Sequence, residues 1–267
     1  MNLSIVLSTQ PASFSALAYK GEIGENFSKI KSLGYDGCEL AVRNPDLLDL
    51  DYISSLISSN SLPVPAIGTG QAYGEEGLSF THKDESIRTQ AIDRIKAHIK
   101  LAEKLDALVI IGLIRGTAEI GKSAKEAEGQ LISALRECAQ ENGKIKLAIE
   151  PINRYETNLI NTVESGLDLL DKVGMDNVGL LLDTFHMNIE EPSITESIFN
   201  TADRIFHFHV ADSNRWYPGA GHIDFRKVLE DLEKVNYKGF VSAEIMPFPT
   251  PDIAAEKAIE NMRKFLQ

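Results

Sequence analysis

The stretch "KLAIEPINRYETNLINTVESGLDLLDKVGMDNVGLLLD" (146–183) contains one complete structural repeat. It opens with a short apolar run, Lys146–Ile149, that ends on Glu150. Val163, Leu167 and Leu170 follow at helical spacing behind Thr162, a residue type that caps helix N-termini. A second apolar run, Val178–Leu182, then ends on Asp183. Short, almost continuously apolar runs are what strands buried on both faces require, and the intervening helix makes the two strands parallel. Working outward, the same pattern recurs at Leu3–Leu7, Gly37–Val42, Val64–Ile67, Ala107–Ile111, Ile205–Val210 and Phe240–Ile245. Between these runs lie helical repeats: Ile92, Ile95, Ile99, Ala102 and Leu105; Phe225, Val228, Leu229, Leu232 and Val235; Ala254, Ala258, Met262 and Phe265. Ser123 and Glu126 have capping-box spacing ahead of Leu131, Leu135 and Cys138. Residues 31–36 and 234–240 read as helix endings that turn through glycine into the next strand.

Eight strand–helix units in 267 residues, one for about every 33, most simply close into a single (β/α)8 TIM barrel covering 1–267. An open doubly wound sheet is the competing α/β arrangement. However, "GTG" (68–70) and "GAG" (219–221) lack the third, helix-opening glycine of a dinucleotide-binding turn. No low-complexity tract or Pro/Ser-rich linker divides the chain.

The 27 Lys+Arg against 39 Asp+Glu give a net charge of −12, which disfavours a nucleic-acid partner, since phosphate binding wants a basic face. Two cysteines, Cys38 and Cys138, do not make a disulfide framework. The opening residues lack a basic, then apolar, leader, and no run of about 18 apolar residues exists to span a membrane. The expectation is a cytoplasmic enzyme acting on a small molecule, with a homo-oligomer left open.

In such a barrel the active site lies at the C-terminal ends of the strands. Four consecutive runs end there in Glu150, Asp183, His209 and Glu244, separated by 33, 26 and 35 residues, one unit apart each time. Any one of these acids alone reads as a solvated strand end. Three carboxylates and an imidazole in register are different, because the carboxylates would repel one another unless a cation sat among them. Oxygen ligands with one imidazole suit a divalent ion: Mn²⁺ first, with Mg²⁺, Co²⁺ or Zn²⁺ as alternatives.

The motifs "IEPINRYET" (149–157), "LDTFHMN" (182–188), "FHVADSNR" (208–215) and "SAE" (242–244) resemble the sugar isomerase/epimerase superfamily with its xylose-isomerase-like barrel. Within it they are most similar to ketose 3-epimerases of the D-tagatose/D-psicose type. The resemblance covers essentially the whole chain and is strongest from 146 to 246. It implies that Glu150, Asp183, His209 and Glu244 bind one divalent metal, and that Glu150 and Glu244 form the acid/base pair. It further implies that Glu156, His186 and Arg215 hold the carbonyl and hydroxyl end of the sugar. The chemistry is coherent: a proton beside a carbonyl becomes removable when a metal and cationic donors stabilise the enediolate oxygen, and a second group returns it from the other face.

Other residues have competing readings. His186 could simply cap the helix after Asp183, and Arg215 could pair with Asp212 or Asp224. Glu156 could be a solvated loop acid. His207 points the same way as His209 and reads as structural or as a supporting polar group. Trp216 reads first as packing, and Tyr73 and Phe248 are candidates for pocket walls. Arg115, in the stretch "IIGLIRG" (110–116) that ends strand four, is expected at the mouth, where it would pair with a substrate carboxylate or phosphate, or else be a surface arginine paired with Glu119 or another loop acid. That residue brings keto-sugar acids and sugar phosphates in beside free ketoses. An aldose–ketose isomerase of the hydroxypyruvate type shares the same residues. An apurinic-endonuclease-like phosphodiesterase is disfavoured, since it needs additional histidines on strands three and four, and those strand ends have none.

Overall fold

The computed structural model describes residues 1–119, 121 and 123–267. Among the described residues nine parallel strands are formed: β1 (Asn2–Ser8), β2 (Tyr19–Lys20), β3 (Gly37–Ala41), β4 (Ala66–Gly68), β5 (Leu108–Ile111), β6 (Leu147–Ile149), β7 (Val178–Asp183), β8 (Ile205–Val210) and β9 (Phe240–Ala243). From β3 to β9 each strand pairs with the next, and Asn2–Ile5 of β1 close the circle against Phe240–Ala243 of β9. The result is a single closed eight-stranded (β/α)8 barrel. All eight expected runs are its strands. The two-residue β2 was not expected; it pairs only with Leu7 and Ser8, the part of β1 that projects beyond β9.

Strand boundaries differ from expectation where the chemistry of the backbone intervenes. Val64 lies between Pro63 and Pro65, which have no N–H to donate, so β4 starts at Ala66. Both prolines still accept from the neighbouring strands, Pro63 from Cys38 N and Pro65 from Leu108 N. The expected caps are formed. Thr162 and Ser165 exchange both bonds of a capping box at the helix Val163–Val173, and Ser123 Oγ accepts from Glu126 N at the helix Ala124–Glu141. Of the two expected glycine turns, Gly34 does adopt a left-handed φ of 90°, but in the second turn that role falls to Asn236, at φ 59°.

The helices bury one face each against the strands, and Cys38 and Cys138 are free thiols within that core. Inside the barrel the two sides differ. Ala66, Ile110, Ala148 and Leu181 of β4–β7 form a small apolar cluster. Ser4, Glu39, His207, His209 and Ser242, from β1, β3, β8 and β9, are all buried as well. Among the described residues no helix is long and apolar enough to cross a membrane.

Candidate active site

The barrel brings the four strand-end residues together. One ligand atom from each of Glu150, Asp183, His209 and Glu244 lies within 4.8 Å of all the others. Each is placed by its strand: Glu150 directly follows β6, Asp183 ends β7, His209 lies in β8 and Glu244 directly follows β9. Asp183 also caps the helix Thr184–Glu190, its Oδ1 accepting from Phe185 N at 2.8 Å. That bond turns Oδ2 toward the cluster.

Three atoms of the cluster, Glu150 Oε1, Asp183 Oδ2 and His209 Nδ1, are buried with no hydrogen-bond partner within the protein. Buried polar atoms are normally satisfied, because an orphan costs about 1–3 kcal/mol. Burial, and then the charge of Glu244, push the Glu150 carboxyl well above the usual range, and burial raises Asp183 and Glu244 too. Convergent orphaned acceptors among acids that resist ionising together are what a divalent cation would relieve, so these residues fit a bound metal ion.

The surrounding residues are held by one network. Asn153 Nδ2 donates to Glu156 Oε1 at 3.0 Å and to His186 Nδ1 at 2.8 Å. With Nδ1 accepting, the proton of His186 sits on Nε2, which lies 3.6 Å from Glu150 Oε1 and 3.9 Å from Asp183 Oδ2. Burial, then Arg215, depresses the His186 pKa well below the usual imidazole range, so the ring is neutral. The helix after β7 is therefore capped by Asp183, leaving His186 free to face the cluster. Arg215 donates from Nη1 to Glu156 at 2.9 Å and from Nη2 to Glu244 at 3.1 Å. Its guanidinium lies between the rings of Phe14 and Phe185, at 5.0 and 4.7 Å. Asp212 is not its ion-pair partner. That carboxylate instead accepts from the backbone N–H groups of Ser213, Gly219 and Ile223, shaping the loop in which Arg215 takes a left-handed φ of 61°.

Arg115 is placed otherwise than expected. Residues Leu113–Arg115 form a 3-10 turn that carries the side chain beneath the 150–160 loop, where it is 0 % exposed. Nε donates to Leu159 O at 3.1 Å, Nη2 to Ile160 O at 3.0 Å, and Nη1 to Glu150 O. It stands neither at the mouth nor on the surface, and it is not among the residues lining the cavity.

That cavity, about 310 Å³, opens over Glu150, His209 and Glu244. Phe14, Leu17, Leu113 and Ile152 supply apolar wall, and Ser13, Gln71 and Glu75 lie along it. Glu75 accepts from both N and Oγ of Ser13 at 2.7 Å. Among the described lining residues Arg215 is the only Lys or Arg side chain. Tyr73, Trp216 and Phe248 are not in the lining; Trp216 and Phe248 pack on each other with ring centroids 5.5 Å apart.

Sequence reasoning missed Glu39, Asn153 and Phe14. Glu39 was detectable as a lone charge inside an apolar strand. Phe14 was detectable as an aromatic just past the end of the first strand. Nothing in the sequence separated Asn153 from an ordinary loop asparagine.

A family model described as the xylose isomerase-like TIM barrel matches residues 27–266. A probable ketose 3-epimerase of Synechocystis sp. is 29% identical over 242 residues, covering 85% of this chain and 80% of that protein. The 3-dehydro-D-guloside 4-epimerase of Escherichia coli is 27% identical over 235 residues, covering 82% and 86%. The crystal structure of a D-allulose 3-epimerase from Methylomonas sp. in complex with D-allulose superposes with a TM-score of 0.82 at 25% identity, over 98% and 97% of the two chains. With the barrel closed, the acids convergent and the match spanning nearly the full length, this chain belongs to the xylose isomerase-like TIM-barrel family, alongside enzymes that epimerise sugars.

Proposed function

We propose that this enzyme interconverts neutral ketoses by epimerisation at C3, using Glu150 and Glu244 as its acid/base pair and one divalent ion held by Glu150, Asp183, His209 and Glu244. The observation that carries the reading is a largely buried cluster in which Glu150 and Glu244 share a cation-ready site with Asp183 and His209 beside a sugar-sized cavity. Three carboxylates and one imidazole suit Mn²⁺, with Mg²⁺, Co²⁺ or Zn²⁺ as substitutes.

When bound, the ion would withdraw electron density from the substrate carbonyl, which acidifies the neighbouring C3–H. One carboxylate removes that proton, and the electron pair of the broken C3–H bond delocalises onto the C2 oxygen. The other carboxylate delivers a proton to the opposite face of C3, and the carbonyl re-forms. His186, neutral with its proton on Nε2, is a hydrogen-bond donor for a substrate oxygen beside Glu150. Arg215 fixes the orientation of Glu244 and Glu156 and is itself held by two aromatic rings.

The neutral substrate is supported by the character of the cavity. Arg115 is committed to three backbone carbonyls, and the described cavity lining includes Glu75 and no Lys or Arg besides Arg215, which is paired with Glu156 and Glu244. A carboxylate or phosphate placed there would meet like charge without a bidentate partner. The test is product analysis with Mn²⁺ on D-fructose, D-allulose, L-ribulose, a 3-keto-glucoside, a keto-sugar acid and a ketose phosphate. The expected result is C3 epimerisation of the free ketoses, with kcat/KM for the charged substrates at least 10-fold lower, the scale of one lost charge-assisted contact. Preference for a phosphate, or aldose as the main product, would overturn the reading.

A further inference from the structure

Glu39 lies in the middle of β3, in the sequence Gly37-Cys38-Glu39-Leu40-Ala41, and is 1 % exposed. A carboxylate buried to that degree needs strong partners. It has two, both on β8. His207 Nε2 lies 2.8 Å from Glu39 Oε2, and His209 Nε2 lies 3.0 Å from Oε1 and 3.2 Å from Oε2. The two histidines, two residues apart, face the same way and meet edge to face, with ring centroids 5.2 Å apart. The other nitrogen of His209, Nδ1, has no partner in the protein and faces the acids of the active site.

A carboxylate accepts only, so the nitrogen that faces it must carry the proton. A neutral imidazole with its proton on Nε2 has its lone pair on Nδ1. We propose that Glu39 is a positioning residue: it takes the Nε2–H of His209, fixes that tautomer and ring orientation, and so presents Nδ1 to the cation site, while His207 holds Glu39 from the other side. The inference rests on the cation site proposed above. A carboxylate behind a metal-binding histidine raises the donor strength of the ring, and its removal typically weakens metal binding by about 10- to 100-fold.

Glu39, His207 and His209 also lie close enough to hold an ion of their own. Their 2.8 and 3.0 Å separations match N–H groups donating to a carboxylate, and His209 cannot give Nε2 to an ion while donating from it.

The experiment is calorimetric titration of Mn²⁺ into chelator-stripped wild type, Glu39→Gln and His207→Gln, with the thermal midpoint of each metal-free protein measured alongside. The expected result is one Mn²⁺ per wild-type chain, a Kd raised about 10- to 100-fold in Glu39→Gln, and a smaller rise in His207→Gln. A purely structural Glu39 would lower the metal-free midpoint and leave the Kd of the folded protein unchanged, which overturns the inference. Two Mn²⁺ per wild-type chain, one of them lost in Glu39→Gln, also overturns it. Should Glu39→Gln not fold, the Kd of His207→Gln decides: raised supports the inference, and equal to wild type contradicts it. If wild type binds no divalent ion, the cation site itself falls, whereas tight wild-type binding with unchanged variants removes Glu39 alone.

Discussion

The two carboxylates assigned to acid/base chemistry are each held by a buried arginine, and in opposite ways. On the β6 side, Arg115 grips the main chain: it donates to the carbonyls of Glu150, Leu159 and Ile160, fixing the loop and leaving the Glu150 side chain with an unpartnered oxygen. On the β9 side, Arg215 grips the side chain itself, donating to Glu244 Oε2 and to Glu156. The same residue type therefore builds scaffold in one region and orients a carboxylate proposed to react in the other. What decides between them is the partner, a carbonyl or a carboxylate, and not the position of the arginine at a strand end.

This contrast can be broken by substitution, and the largest effect belongs to the carboxylates. Glu150→Gln and Glu244→Gln should each lower turnover at least 10²-fold, the lower range for loss of a general acid or base. Metal content measured on the same samples separates lost chemistry from lost metal. A wild-type rate in either variant removes that residue from the reaction.

The arginines should then divide according to their partners. Arg215→Lys loses the planar two-pronged contact and is expected to reduce kcat roughly 10-fold with little change in thermal stability. Arg115→Lys keeps a charge but cannot reach three carbonyls at once. It should lower the thermal midpoint by about 5 °C, while kcat for a neutral ketose at permissive temperature stays within a factor of about 3. The ratio of kcat/KM for charged over neutral substrates should not respond to it. If Arg115→Lys shifts that ratio and leaves stability untouched, the assignment of scaffold and site is reversed.

The contrast also shows what the sequence could and could not reveal. The barrel and its four strand-end residues were legible because both follow from periodicity: apolar runs mark strands, and a polar residue at the C-terminal end of a run must lie at the mouth. Arg115 obeyed the same rule in sequence and broke it in space, since the 3-10 turn at Leu113–Arg115 redirects a side chain that strand counting places at the rim. Glu39, a visible lone charge, was passed over for the opposite reason, counted as part of an apolar run although it occupies the barrel interior as a carboxylate. The expected alternatives for Arg215, Asp212 and Asp224, were near in sequence. Its partners, Glu156 and Glu244, are 59 and 29 residues away, a pairing only the closed barrel produces. Tyr19–Lys20 is too short to carry any strand pattern and forms only because β1 outruns β9.

The most direct test of the account is the fate of the C3 hydrogen when a ketose such as D-allulose is converted in D₂O and both sugars are analysed at low conversion. Two carboxylates acting from opposite faces remove hydrogen with one group and return a solvent-equilibrated proton with the other. The product should therefore carry one deuterium at C3 while recovered substrate carries almost none. Deuterium at C1 or C2, or equal labelling of recovered substrate and product at C3, would contradict a two-carboxylate C3 epimerase.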